Sequence, residues 1–130
     1  MLVLEDNHIG DQGATGLAEA LKVNSTLTNL NLQSNDIGDQ GAAGLAEALK
    51  VNSTLTNLDL QNNDTGEQGA TGLVEALKMN STLRLLDLSL NNVRKRVVSE
   101  LRLLEHDSRI IKLHSQLCLE LCSDSDSDCK

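Results

Sequence analysis

Aromatic residues and proline are missing from this 130-residue chain, which contains no Phe, Trp, Tyr or Pro. Without aromatics, any core must be aliphatic, and single-stranded nucleic acid loses the stacking platforms that usually hold its bases. Without proline, nothing forbids long regular elements. Basic residues are few: 11 Lys and Arg against 19 Asp and Glu, a formal net charge of −8. Nucleic acid is therefore not expected as a partner, because phosphate binding needs a basic footprint. No apolar run approaches a membrane span, so no membrane partner is expected either. The N-terminal MLVLEDNHIG lacks the basic start and long apolar stretch of a secretory signal. Cysteine is confined to Cys118, Cys122 and Cys129. Such an odd, clustered set does not look like a disulfide framework and suits a reducing, cytoplasmic compartment. At this length the chain fits one domain.

What is present is repetition. VNSTLTNL occurs at Val23–Leu30 and again at Val51–Leu58, and MNSTLRLL follows at Met79–Leu86, each 28 residues after the last. Residues 27–54 and 55–82 are complete units, identical at 21 of 28 positions. Residues 1–26 are the same unit lacking its first two residues, and 83–93 begin a further copy and then depart. Each unit changes period midway. Leu30 and Leu32 alternate with Asn29, Asn31 and Gln33, as in a short strand with one buried face. Asn35 and Gly38 mark a turn, Asp39 is a candidate N-cap, and Ala42, Leu45, Ala46 and Leu49 fall at helical spacing. Asn52 follows at the place of a left-handed cap residue. One strand–helix unit cannot bury its own apolar face, but stacked units can. Strands sit about 4.8 Å apart and helices about 10 Å apart, so the stack curves with its strands inside. The small residues Gly13, Ala14 and Gly16, with their equivalents, let neighbouring helices approach.

The pattern LxxLxLxxNxIGdxGaxxLaeaLkxN, over Met1 to about Val93, resembles the leucine-rich repeat of the ribonuclease-inhibitor type. It is similar to the C-terminal repeats of NACHT-domain (NOD-like) receptors. The resemblance implies an α/β solenoid, a short right-handed horseshoe of about three and a half repeats, with parallel strands on the concave face and helices on the convex one. It implies that Asn7, Asn35, Asn63 and Asn91 form a ladder bonding neighbouring loop backbone. Residues 94–122 are then a C-terminal cap, which open stacks need. Thr65 departs from the pattern, which has Ile9, Ile37 and Val93 there, and weakens that repeat unless its hydroxyl finds a partner. Asn24, Asn52 and Asn80 each begin an Asn-Ser-Thr glycosylation pattern, but their place at the helix exit gives them a backbone role without any sugar.

Function in resembling proteins often lies on the concave face. Its outward residues are Met1, Val3 and Glu5, then Asn29, Asn31 and Gln33, then Asn57, Asp59 and Gln61, then Leu85, Asp87 and Ser89. This polar, acidic surface is expected to bind a protein partner, with Asn31, Asp59 and Asp87 as its central column. The alternative is a merely solvated face, since outward strand residues must be polar anyway. Near-identical units point to recent expansion, a repetitive partner or avidity. Glu19/Lys22, Glu47/Lys50 and Glu75/Lys78 at i, i+3 read as solvated ion pairs. His8 reads as a solvated loop residue. No carboxylate pair, phosphate loop or nucleophile–base pairing is visible, so neither catalysis nor a cofactor is expected. A second reading is a regulator of a small GTPase, because GTPase-activating proteins of nuclear transport share this repeat. A third is a truncated repeat fragment without independent function. Met1 falls inside a strand with no cap before it, which points to a fragment or to self-association through that edge.

Charge divides at Val93: residues 1–93 hold 4 basic and 12 acidic residues, residues 94–130 seven of each. Arg94, Lys95 and Arg96 read as a solvated helix start. Val97, Val98, Leu101 and Leu104 predict a helix over the last repeat. Residues 110–122 fit a strand through Ile111, Leu113, Leu117, Leu119 and Leu121, or a helix stripe through Ile110, Leu113, Leu117 and Leu121; the helix is favoured. On a helix His114, Cys118 and Cys122 would share a face, but two turns is too far for one ion, so no metal is expected. Residues 123–130 are an acidic tail expected to be disordered. In it Ser123 and Ser125 fit acid-directed phosphorylation.

Overall fold

The leucine alternation does make strands, and the computed structural model describes them within residues 1–105 and 109–113. The order is β1 (Leu2–Val3), α1 (Gly10–Val23), β2 (Asn29–Asn31), α2 (Asp39–Leu49), β3 (Asn57–Asp59), α3 (Glu67–Met79), β4 (Leu85–Asp87), α4 (Lys95–Arg102) and β5 (Ile110–Lys112). The strands form one parallel sheet in sequence order. Its register repeats every 28 residues from β2 to β4, so Asn31 pairs Asp59 and Asp59 pairs Asp87. Each crossover runs through a helix, which puts all helices on one side. Leu30, Leu58 and Leu86 point inward with Leu32, Leu60 and Leu88, and all are at most 2 % exposed. They meet the buried helix positions Ala42, Leu45 and Leu49 and their equivalents, giving a wholly aliphatic core.

Asparagine ladders run along the stack. Asn35 Nδ2 donates to the Leu4 carbonyl at 2.8 Å, Asn63 Nδ2 to Leu32 at 3.0 Å and Asn91 Nδ2 to Leu60 at 2.8 Å. In return, Asn63 Oδ1 accepts the Asn35 and Ile37 N–H groups of the preceding repeat. Asn7, at the end of the row, is exposed; its Nδ2 donates to the Leu4 and Glu5 carbonyls of its own repeat, while its N–H donates to Asn35 Oδ1 at 3.1 Å. Thr65 is fully buried and its hydroxyl donates to the Ile37 carbonyl at 3.3 Å, so the departure from the pattern is satisfied.

The Asn-Ser-Thr segments serve the backbone. Asn52 Nδ2 donates to the Leu21 and Asn24 carbonyls, while its Oδ1 accepts the Thr54 and Leu55 N–H groups. Asn80 repeats these bonds one unit on. Neither is left-handed as the sequence led one to expect. The exits of α1 and α3 are extended, with φ −81° at Asn24 and −96° at Asn80, and Asn52 has no positive φ. The positive-φ side-chain residues are Asp6, Ser34, Asp36, Asn62 and Leu90, in the turns after the strands.

Asp39 does not cap its own helix either. It lies in the first turn of α2, and its Oδ1 accepts the Gly66 and Gly69 N–H groups at the start of α3, at 2.8 and 2.9 Å. Asp11 does the same for Gly38 and Gly41. The first and second repeats thus each cap the next, through charge-assisted bonds at a helix N-terminus. Gly41 is indispensable here, because a Cβ on it would stand 2.8 Å from Asp11 Oδ1 and 2.8 Å from Ile37 Cγ2. Gly16 has open space around it and is not needed for helix approach.

Two expectations fail near the end of the chain. Lys95 is 2 % exposed, so the basic triplet is not wholly solvated. It occupies the repeat position of Asp11 and Asp39. Residues 110–112 form β5, not a helix, pairing parallel with β4. The open edge of β4 and the burial of Ile111 and Leu113 outweigh the helical spacing. Residues 114–122, including His114, Cys118 and Cys122, and the tail with Ser123 and Ser125 lie outside the described residues.

Candidate functional site

The sheet face opposite the helices carries three rows of side chains. Register places Asn31, Asp59, Asp87 and Lys112 side by side in the central row. One flanking row is Asn29, Asn57, Leu85 and Ile110. The other holds Gln33, Gln61 and Ser89. All these strand residues of the repeats are half-buried except Ser89, which is 6 % exposed. Ser89 therefore adds little to the surface. Asn29, Asn31, Asn57, Asp59, Leu85 and Asp87 line one shallow depression with Met1 and Lys112.

The central row is held rigidly. Asn31 Oδ1 accepts the Gln33 N–H at 3.0 Å, Asp59 Oδ1 the Gln61 N–H at 2.9 Å and Asp87 Oδ1 the Ser89 N–H at 2.9 Å. Each side chain is thus folded against its own strand two residues on. Asn31 Nδ2 also donates to Glu5 Oε1 at 3.1 Å. Among the described residues Asp59 and Asp87 make no ion pair, so the second oxygen of each carboxylate has no cationic partner there. Burial raises the pKa of Asp59 above its ordinary value. The Gln61 N–H opposes that shift, Asp87 and Glu5 add to it, and Lys112 opposes it weakly.

Lys112 escaped the sequence reading, because β5 lies 25 residues after β4 and not 28. The only sequence signal for it was the alternation of Ile111 and Leu113. Arg109 escaped too. Its Nε donates to the Leu83 carbonyl and its Nη1 to Leu77, each at 3.0 Å, and its Nη2 to Asn80. The Leu77 and Asn80 carbonyls are the repeat equivalents of those that Asn80 itself serves, Leu49 and Asn52. Arg109 is thus a substitute for the missing fourth asparagine, and burial lowers its pKa.

The helix face holds the three i, i+3 pairs, with Nζ to carboxylate distances of 2.9, 2.8 and 3.3 Å. His8 Nδ1 lies 2.9 Å from Asp36 Oδ2, both side chains mostly exposed. Among the described residues no three His, Cys, Asp or Glu converge on a metal position. No described helix is long and apolar enough to cross a membrane.

Comparison with known proteins agrees with this architecture. A solved structure of leiomodin-1, actin-binding site 2 (ABS2), is similar, with a TM-score of 0.76 and 25 % identity, covering 88 % of this chain and 69 % of that one. No curated protein matches the sequence significantly. The family model described as Leucine Rich repeat matches residues 2–18, 23–46, 51–74 and 80–95, more than half of the chain, and the chain therefore belongs to the leucine-rich repeat family.

Proposed function

We propose that the chain is a non-catalytic scaffold that binds a protein partner on its concave face. One observation carries this: Asp59 and Asp87 are pinned by their own strands, and among the described residues neither carboxylate has an ion pair. Fixed polar groups on a rigid sheet lose little freedom on binding. The surface comprises Asn29, Asn31, Gln33, Asn57, Asp59, Gln61, Leu85 and Asp87, with Ser89 at its margin. The finer affiliation, to the ribonuclease-inhibitor type and NOD-like repeats, is supported by a 28-residue unit with a full α-helix in each repeat. The cysteine pattern supports a cytoplasmic setting, and the acidic charge disfavours nucleic acid. Nothing on the surface favours the GTPase-regulator reading.

The test is affinity capture with mass spectrometry, comparing the parent with Asp59→Arg/Asp87→Arg of matched circular dichroism. Because the similar leiomodin-1 structure is an actin-binding site, purified actin belongs among the direct probes. Partners captured by the parent and lost by the variant support the concave face; identical captures from both overturn it. Self-association through the outer edge of β1, where Met1, Leu2 and Val3 are exposed, is a separate part of the proposal. Sedimentation across a concentration series checks it, and a concentration-independent monomer rejects it.

A further inference from the structure

The two ends of the concave face differ in chemistry. Across β2 it presents amides: Asn29, Asn31 and Gln33. From β3 to β5 it presents Asp59 and Asp87 beside Leu85 and Ile110, with Lys112 closing the central row. Ile110 is 58 % exposed, a large aliphatic side chain next to a half-buried Leu85. We infer that this end docks a basic and apolar segment of a partner protein, with an arginine or lysine seated over Asp59 and Asp87 and an aliphatic side chain on Leu85 and Ile110. This rests on the concave-face reading and adds the chemistry of the occupant.

Charge complementarity decides the basic residue. Asp59 and Asp87 are paired across adjacent strands, which puts them about 5 Å apart. Among the described residues no cation is bonded to either, and Lys112, one strand beyond Asp87, makes no ion pair with it. A guanidinium between the two carboxylates would bond both and relieve their repulsion. Burial and the neighbouring acids already raise the proton affinity of Asp59, as an unanswered negative site should.

Geometry decides the spacing. Leu85 stands two residues before Asp87 on the same face, roughly 7 Å away along the strand. Residues i and i+2 of an extended partner, or i and i+4 of a helical one, span such a gap. Lys112 repels a second cation and so fixes the direction, with an acidic or polar partner residue on its side.

The test is selection of displayed short random peptides on the full chain, followed by affinity measurement of individual synthetic peptides. Three variants accompany it: Asp59→Asn/Asp87→Asn, Leu85→Asn and Asp59→Arg/Asp87→Arg. Asparagine keeps the oxygen that accepts the strand N–H, as Asn31 shows, and Asn29 and Asn57 already stand in the row of Leu85. Expected are peptides with a basic residue and a nearby aliphatic one. Their binding should weaken roughly ten- to a hundredfold in Asp59→Asn/Asp87→Asn. Replacing the peptide's arginine by citrulline should weaken it similarly, and Leu85→Asn less so. Peptides without a basic residue that still bind only when Asp59 and Asp87 are not arginine would overturn the inferred chemistry and leave the concave-face reading standing. Peptides indifferent to every variant, or no enrichment at all, would overturn this inference. Indifference to the double arginine variant would also count against the concave face.

Discussion

Between the first and second repeats, Asp11 reaches over to the Gly38 and Gly41 N–H groups, each at 2.8 Å. Between the third repeat and the last unit, Glu67 stands at that position and meets the Arg96 guanidinium at 2.8 Å and Arg94 at 3.9 Å. Val97, fully buried, takes the place of Gly41 and Gly69, where a Cβ would meet the aspartate oxygen of the preceding repeat. At the helix exits, asparagine serves two carbonyls in the regular repeats, and Arg109 serves three in the last unit. The same tasks, seating one helix on the next and satisfying the helix end, are met by short rigid side chains where the period holds. They are met by long charged ones where it breaks. Long side chains reach partners out of register, which lets α4, only 8 residues long, and β5 join the stack without a consensus sequence.

The comparison breaks most visibly at Arg109. Arg109→Ala strands three buried carbonyls and is expected to cost about 2–4 kcal/mol. Hydrogen exchange should show the loss first at β5 and the end of α3, with α1 and α2 still protected; uniform loss would mean that the last unit is not separable. Next is Gly41→Ala, whose Cβ would meet Asp11 and Ile37 at 2.8 Å. Overpacking there should cost about 1–3 kcal/mol in a denaturant titration. Gly16→Ala, in open space, should instead stabilise by roughly 0.5–1 kcal/mol. Equal effects would refute the assignment of the close contact to only one of the two glycines.

Asp39→Ala removes two charge-assisted bonds to the start of α3 and should cost about 1–2 kcal/mol. Glu67→Ala, at the equivalent position, removes only exposed ion pairs and should cost less than about 0.5 kcal/mol. Raising the salt concentration should shrink the second effect more than the first. Leu90 holds φ +59° in the row where Asp6, Ser34 and Asn62 stand. Leu90→Asn should therefore raise the unfolding midpoint, by about 1 kcal/mol of stability, since asparagine adopts that backbone with less strain.

The strands, the helices and the asparagine rows were legible because the 28-residue period superimposes them, and because Leu30 and Leu32 alternate while Leu45 and Leu49 do not. The outward rows followed from the same alternation. What stayed hidden depends on neighbours. Asp39 has the sequence of an N-cap for its own helix, and only the stacking shows that it faces Gly66 and Gly69. Ser89 belongs to an outward row by period, yet it is buried. Arg109 and Lys112 lie outside the repeat register, so no period could place them. The spacing of Ile110, Leu113, Leu117 and Leu121 spoke for a helix, while the open edge of β4, which decided the matter for residues 110–112, has no signature in that segment.

The smallest expected effect separates the two ends of the concave face. Asp59 has its folded-state pKa raised, mainly by burial and then by Asp87 and Glu5. A raised carboxylate pKa means that the folded state holds the proton more tightly than the unfolded one. Its stabilising contribution is then present below the unfolded pKa and is lost as pH rises through the folded one. At neutral pH Asp59 is accordingly a slight burden on stability, in contrast to Asn31 one strand away, which meets Glu5 as a neutral donor. Asp59→Asn should raise the thermal midpoint slightly near neutral pH, and the gain should fade as pH falls through the acid range. A gain that persists unchanged at low pH would mean that the carboxylate is no more burdened than the amide beside it. A loss at neutral pH would mean that its charge already has a partner within the fold.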